Sequence, residues 1–342
     1  MIIAHHFCLH GRFNYDDAVT LNSLWITFFG MSGKLGVDIF AVISGYFAVR
    51  SLRLRPARLI RLWLMAIFYS LGIYLLLAAL GVYPFKLYDF LPNLFPISSD
   101  RWWFLTCYFV LMLLSPLLNR LLCSLSQSTY RKLLAIMIIM WSVIYTLTGF
   151  KLYSNDFICI VCMYCVGGYI RLWRDDKKNR PVPCILLAAA LMLAVFGLIV
   201  MSQQVDFGDY KGYIPTYQHN WSILVVIAAI LLFLGFKNIN MGSIRFINAV
   251  SAATLGVYMI HDNPYIRWYI VWTRLFRNTS HAQSSDLIPF SIGVVAAVFA
   301  GCAVIELLRI HLIERWYMKP IMKNEEKISG FIDRVCQKVL RF

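Results

Sequence analysis

The sequence predicts an all-α, polytopic integral membrane protein of about ten transmembrane helices. Two observations carry that prediction. The 342 residues are 60% hydrophobic and only 14% charged, whereas a soluble domain carries roughly 25% charged residues. So few charges could not cover the surface, so lipid must cover part of it. The apolar residues also come in runs near the length that crosses a bilayer, separated by short basic or aromatic segments.

The runs can be justified in order. The first ends near Leu9 and starts Met1-Ile2-Ile3-Ala4-His5-His6, apolar throughout and without the basic region of a cleavable signal peptide. It reads as the second half of a spanning helix, so a truncated first helix and an upstream start are expected. The following runs are 24–49, 62–82, 102–118, 133–150, 157–170, 184–201, 221–236, 249–270 and 287–308. Those at 102–118 and 157–170 are short for a span. If alternate loops face the cytoplasm, 23 of the 32 Lys and Arg residues fall on that side, 8 on the other, and Lys34 inside a span. A missed or extra helix would spoil that asymmetry, so the positive-inside rule supports the count and places both termini in the cytoplasm. Trp102, Trp103, Trp221 and Trp268 sit at run ends, as interfacial anchors do, and Tyr210-Lys211-Gly212-Tyr213 reads as outer loop. The tail after Glu314 reads as a short surface helix.

The same pattern excludes some functions. The net charge of +15 follows from the topology, and no basic stripe interleaved with stacking aromatics points to nucleic acid. Cys162 and Cys165, with Cys159 before them, read as one face of a membrane helix. There is no second pair at metal-ligand spacing, so no metal site is indicated.

Ionisable and polar groups inside the hydrocarbon are expensive and are candidates for function. His5 and His6 lie near the outer end of the first run, where a neutral imidazole can take a proton from a hydroxyl. Asp38 is flanked by apolar residues and needs a partner. Lys34, one turn earlier, offers an intrahelical pair. A histidine on a neighbouring helix, oriented by the carboxylate, is the catalytic alternative. Ser44-Gly45-Tyr46 suits close helix packing. His261-Asp262-Asn263-Pro264 reads as a polar cluster and helix-ending turn. Glu306 is expected to pair with Arg309 or Arg58. The run Arg50 to Arg61 fits topology and anionic lipid, or a seat for a donor's phosphates.

Several stretches together resemble the acyltransferase 3 family of bacterial membrane acyltransferases. They are Ile2-Ile3-Ala4-His5-His6-Phe7, Gly36 through Tyr46, Trp103 through Tyr108 continuing to Leu114 through Asn119, and Thr254 through Asp262. The resemblance implies a helical membrane domain over 1–318 followed by a basic cytoplasmic tail over 319–342. It implies a multi-pass protein of the cytoplasmic (inner) membrane. It further implies transfer of an acyl group, acetyl above all, from cytoplasmic acetyl-CoA or another acyl-CoA to a hydroxyl of a cell-surface or lipid-linked glycan. The family's first helix carries an arginine and a histidine at fixed spacing. That spacing selects His6, not His5, and would put the arginine ahead of Met1. The resemblance therefore implies His6 as general base with Asp38 orienting it, Arg58 and Arg61 at the donor, and His5, Tyr108, Asn119, His261 and Asp262 around the acceptor. Expected partners are acyl-CoA, a carbohydrate or lipid-linked acceptor, and membrane lipid. A transporter or flippase for a lipid-linked glycan, and a degenerate non-catalytic homologue, are the alternatives.

Overall fold

The computed structural model describes all residues except 16–18, 151, 154, 175–179, 205–218, 241 and 340–342. The Tyr210 to Tyr213 stretch therefore lies outside the described residues. In chain order the helices are α1 (Ile2–His10), α2 (Leu21–Gly30), α3 (Gly33–Ala48), α4 (Pro56–Ala79), α5 (Leu87–Leu94), α6 (Trp103–Ser124) and α7 (Gln127–Thr148). They continue with α8 (Asp156–Trp173), α9 (Pro181–Gln204), α10 (Ile223–Lys237), α11 (Arg245–His261), α12 (Leu287–Arg309), α13 (Arg315–Lys323) and α14 (Glu325–Val339). No strand occurs among the described residues. Seven helical stretches are long and apolar enough to cross a membrane, which makes the chain a multi-pass membrane protein. The segments predicted as short lengthen into full spans: α6 reaches Ser124 and α8 runs from Asp156 to Trp173. Three expected spans are shorter than a crossing helix: α1 has 9 residues, α10 has 15 and α11 has 17.

Local chemistry fixes many of the helix ends. Thr20 and Ser23 form a reciprocal capping box at α2, Ser126 caps α7 and Asn155 caps α8, each satisfying a backbone N–H that the helix leaves open. Pro56 stands at the first position of α4, where a missing N–H is harmless.

The expected span 24–49 is two helices, with Met31 and Ser32 between α2 and α3. Gly30, Gly33 and Gly36 flank the break, and glycine is a poor helix former. The carbonyl of Gly30 is taken up by His5 Nδ1 at 2.7 Å, so a side chain satisfies what the broken helix releases. The span expected at 249–270 likewise ends at His261. Asn263 then starts a new turn, its Oδ1 accepting from the Tyr265 N–H at 3.0 Å.

The chain forms two compact units. One comprises Met1–Arg50, Leu117–Gly242 and Trp268–Ala296. Its centre is the pair α3 and α8, whose backbones meet at two glycines. A Cβ on Gly45 would strike the Tyr164 carbonyl, and one on Gly167 would strike the Val42 carbonyl. The expected packing role of Gly45 is thus seen as direct backbone contact. Asn119 ties the same helices to α6: its Nδ2 donates to the Ala48 carbonyl at 2.8 Å and its Oδ1 accepts from the Tyr164 hydroxyl at 2.8 Å.

The other unit comprises Ser51–Pro116, Ser243–Arg267 and Ala297–Phe342. It is organised around a buried ionic network. Arg309 grips Glu306 through Nε at 2.7 Å and Nη2 at 2.9 Å, and reaches Glu314 at 2.5 Å and the Tyr317 hydroxyl at 2.7 Å. The Tyr69 hydroxyl donates to Glu306, and Gly256 leaves room for that carboxylate, which a Cβ would hit. Glu306 thus pairs with Arg309, one of the two partners expected for it. Breaking one partner of a buried pair strands the other, so Arg309→Met should destabilise the fold by about 3–5 kcal/mol. A fluorescence melt in detergent checks this.

Candidate functional site

In the first unit, α1 brings its histidines against α2 and α3. The His5 ring lies where a Cβ on Gly33 would sit, and Ile2 packs beside Gly36. Phe7 is fully buried, with ring centroids 5.3 Å from Phe13, 6.2 Å from Phe29, 6.0 Å from Trp272 and 6.3 Å from Phe290. That aromatic wedge fixes so short a helix. A carbonyl can only accept, so His5 Nδ1 carries the proton in its bond to Gly30. The neutral ring therefore keeps its lone pair on Nε2.

His6 is buried. Its ring centroid is 5.7 Å from that of His5 and 5.3 Å from that of His10. His10 in turn meets Trp268 edge-on at 5.0 Å. Three imidazoles thus form a row along α1. His10 was not among the sequence candidates. The available signal was its spacing of one helical turn from His6.

Asp38 is fully buried in α3, and its Oδ1 accepts from the Cys159 thiol at 3.7 Å. The same sulfur lies 3.2 Å from the Asn220 carbonyl. Lys34 does not close on Asp38; its ion pair is with Asp156, at the start of α8, at 3.5 Å. Among the described residues, the hydrogen bond of Asp38 is therefore with a thiol on α8, and none joins it to a histidine. Cys162 and Cys165 are buried free thiols on the same helix, in keeping with a helix face. Cys159 is the cysteine that touches a candidate catalytic group, a link invisible without the α3–α8 packing.

The second unit holds the remaining candidates. His261 ends α11, with Nδ1 2.5 Å from the Val257 carbonyl, so in its neutral form Nε2 is the basic nitrogen. Asp262 is ion-paired with Arg267 at 3.0 Å. Asn263 Nδ2 donates to the Tyr69 carbonyl at 3.2 Å, which secures the expected turn before Pro264. Tyr108 stacks on Phe104 at 6.2 Å, and Phe104 meets Tyr258 edge-on at 5.8 Å. Arg58 is exposed on the first turn of α4. Arg61, half-exposed, pairs with Glu314 at 3.2 Å. Asn119, expected beside the acceptor, sits in the first unit as the clamp between α3, α6 and α8.

Chemically, the first unit offers an imidazole row, His6 and His10 of it buried, and a buried carboxyl on helices that pack together. That combination suits general-base chemistry on a hydroxyl. A family model described as an acyltransferase domain matches residues 1–307. No curated protein matches the chain, and no solved structure matches it.

Proposed function

From the premise that this chain belongs to the acyltransferase 3 family, whose model spans residues 1–307, we propose that it is a membrane O-acyltransferase carrying an acetyl group from cytoplasmic acetyl-CoA to a hydroxyl of a cell-surface or lipid-linked glycan. The observation that carries this reading is the family match over nearly every apolar helix. The buried His6 supports it. So does the basic asymmetry of the loops, which favours a cytoplasmic-membrane protein with both termini inside.

In this mechanism the acceptor hydroxyl attacks the thioester carbonyl while His6 takes its proton. The C–S bond breaks, coenzyme A leaves as the thiolate, and the His6 imidazolium returns the proton to it. The products are the O-acyl ester and free coenzyme A. Asp38, buried on the helix that α1 packs against, favours the charged imidazolium through its negative charge. Arg58 and Arg61 supply charge for the donor's phosphates. Arg58→Gln should raise KM for acetyl-CoA about 3- to 10-fold with kcat little changed, the size of effect expected for one solvent-exposed charged contact.

Acceptor-dependent release of coenzyme A from the protein in lipid nanodiscs tests the proposal. The flippase alternative draws support from the broken helices at Met31–Ser32 and Asp262–Asn263, since transporters use discontinuous helices. It requires no release of coenzyme A, so the same assay separates the two.

A further inference from the structure

Beside Asp38, the first unit gathers buried polar groups that make no hydrogen bond. Asn220 and Ser222 are both fully buried. Among the described residues, neither Nδ2 nor Oδ1 of Asn220 has a partner, nor do Ser222 Oγ, Ser142 Oγ or Asp38 Oδ2. Two sets of contacts relate the segments that carry them. Cys159 Sγ touches both Asp38 Oδ1 at 3.7 Å and the Asn220 carbonyl at 3.2 Å. Thr146 Oγ1 accepts from the Ile223 N–H at 2.9 Å and donates to the Ser142 carbonyl at 2.7 Å.

Ser222 is the residue before α10, where a serine side chain ordinarily caps the helix. Here it makes no cap bond, while the N–H of Ile223, the first residue of the helix, goes to Thr146 Oγ1. The Ser222 hydroxyl is left without either role. Buried polar groups in proteins are overwhelmingly hydrogen-bonded, so several unpartnered ones in one place call for a ligand.

The donor set says which ligand. The Asp38 carboxyl offers acceptors, the Asn220 amide one acceptor and two donors, and the serines either. A phosphate would meet the Asp38 carboxyl, and an apolar chain would satisfy none of these groups. A ligand whose oxygens both donate and accept satisfies them together. Flat faces adjoin the cluster: Trp221 stacks with His219 at 5.3 Å and meets Tyr145 edge-on at 5.2 Å. We propose that Asn220, Ser222 and Ser142, with Asp38, form a subsite that hydrogen-bonds the hydroxyls of a sugar ring of the acceptor. This rests on the acyltransferase reading for its purpose, but not for its test.

The test measures binding. Wild-type protein in nanodiscs is titrated with methyl β-glucopyranoside, methyl β-galactopyranoside and N-acetylglucosamine by saturation-transfer NMR, with acetyl-CoA binding measured in parallel. Asn220→Leu and Ser222→Ala should each weaken sugar binding by about ten-fold or more, one hydrogen bond's worth, and leave acetyl-CoA binding unchanged. Asn220→Leu should also hold or raise Tm, because it removes unpartnered polar atoms; a structural asparagine would lower it. If Asn220→Leu fails to fold, Ser222→Ala, which removes a single oxygen, decides the matter. The subsite is overturned if none of the three sugars binds the wild type, or if both variants bind as it does. Sugar binding by a wild type that neither binds acetyl-CoA nor releases coenzyme A would sink the acyltransferase reading and leave the subsite standing.

Discussion

Replacing His6 by alanine should lower acyl transfer by roughly 100- to 10,000-fold, the worth of a positioned general base, while the protein still inserts and keeps its melting temperature within a few degrees. Loss should fall on kcat if His6 is the base proposed above, because a general base acts on the proton in flight and not on donor binding. His5 supplies the internal control. Its Nδ1 is committed to the Gly30 carbonyl, so His5→Ala removes a tie across the α2–α3 break. Its effect should show in Tm at least as much as in kcat. Asp38→Asn keeps the shape and the acceptor for Cys159 but removes the ionisable carboxyl, so it should also depress kcat severely. Transfer at the wild-type rate by His6→Ala would reject the assignment of the base. The same outcome for Asp38→Asn would leave the carboxyl as a packing group bonded to Cys159.

The second large effect is on stability. Gly45→Ala or Gly167→Ala should destabilise the first unit by about 1–3 kcal/mol or more, the range for forcing atoms into a filled space. At both positions the obstacle is backbone, the carbonyl of Tyr164 or of Val42, which cannot swing aside as a side chain can. The α3 and α8 axes would have to separate, and the Asp38–Cys159 contact would open with them, so activity should fall further than Tm alone implies. Gly197 is the matched control, since a Cβ there meets nothing within 4 Å. Gly197→Ala in α9 should be neutral or stabilising by up to about 1 kcal/mol, from helix propensity. Equal melting temperatures for Gly45→Ala and Gly197→Ala in a detergent melt would refute the close approach.

Much of this architecture is written in composition and period. Runs of apolar residues with few charges mark the long helices, because a chain in hydrocarbon must satisfy its backbone internally and a helix does that within one segment. Thr20, Ser126 and Asn155 mark helix starts through capping, which is local chemistry. The packing role of Gly45 and the pairing of Glu306 with Arg309 were also legible, one from the absence of a side chain and the other from spacing on one helix.

Other features exist only in three dimensions. Gly30, Gly33 and Gly36 weaken the run 24–49 around Met31, but the break is tolerated because His5, from α1, takes up the Gly30 carbonyl. Lys34 and Asp38 stand one turn apart on α3, yet Lys34 pairs with Asp156 and Asp38 bonds Cys159, both on α8. Asn220 and Ser222 look like ordinary loop and cap residues, and only the folded chain buries them beside Asp38 without partners. The sequence by itself determined the long apolar helices, since hydrophobicity and capping act over a few residues. Tertiary structure decided which polar group meets which, since burying a charge or an amide is settled by whatever neighbour packing brings within hydrogen-bond reach.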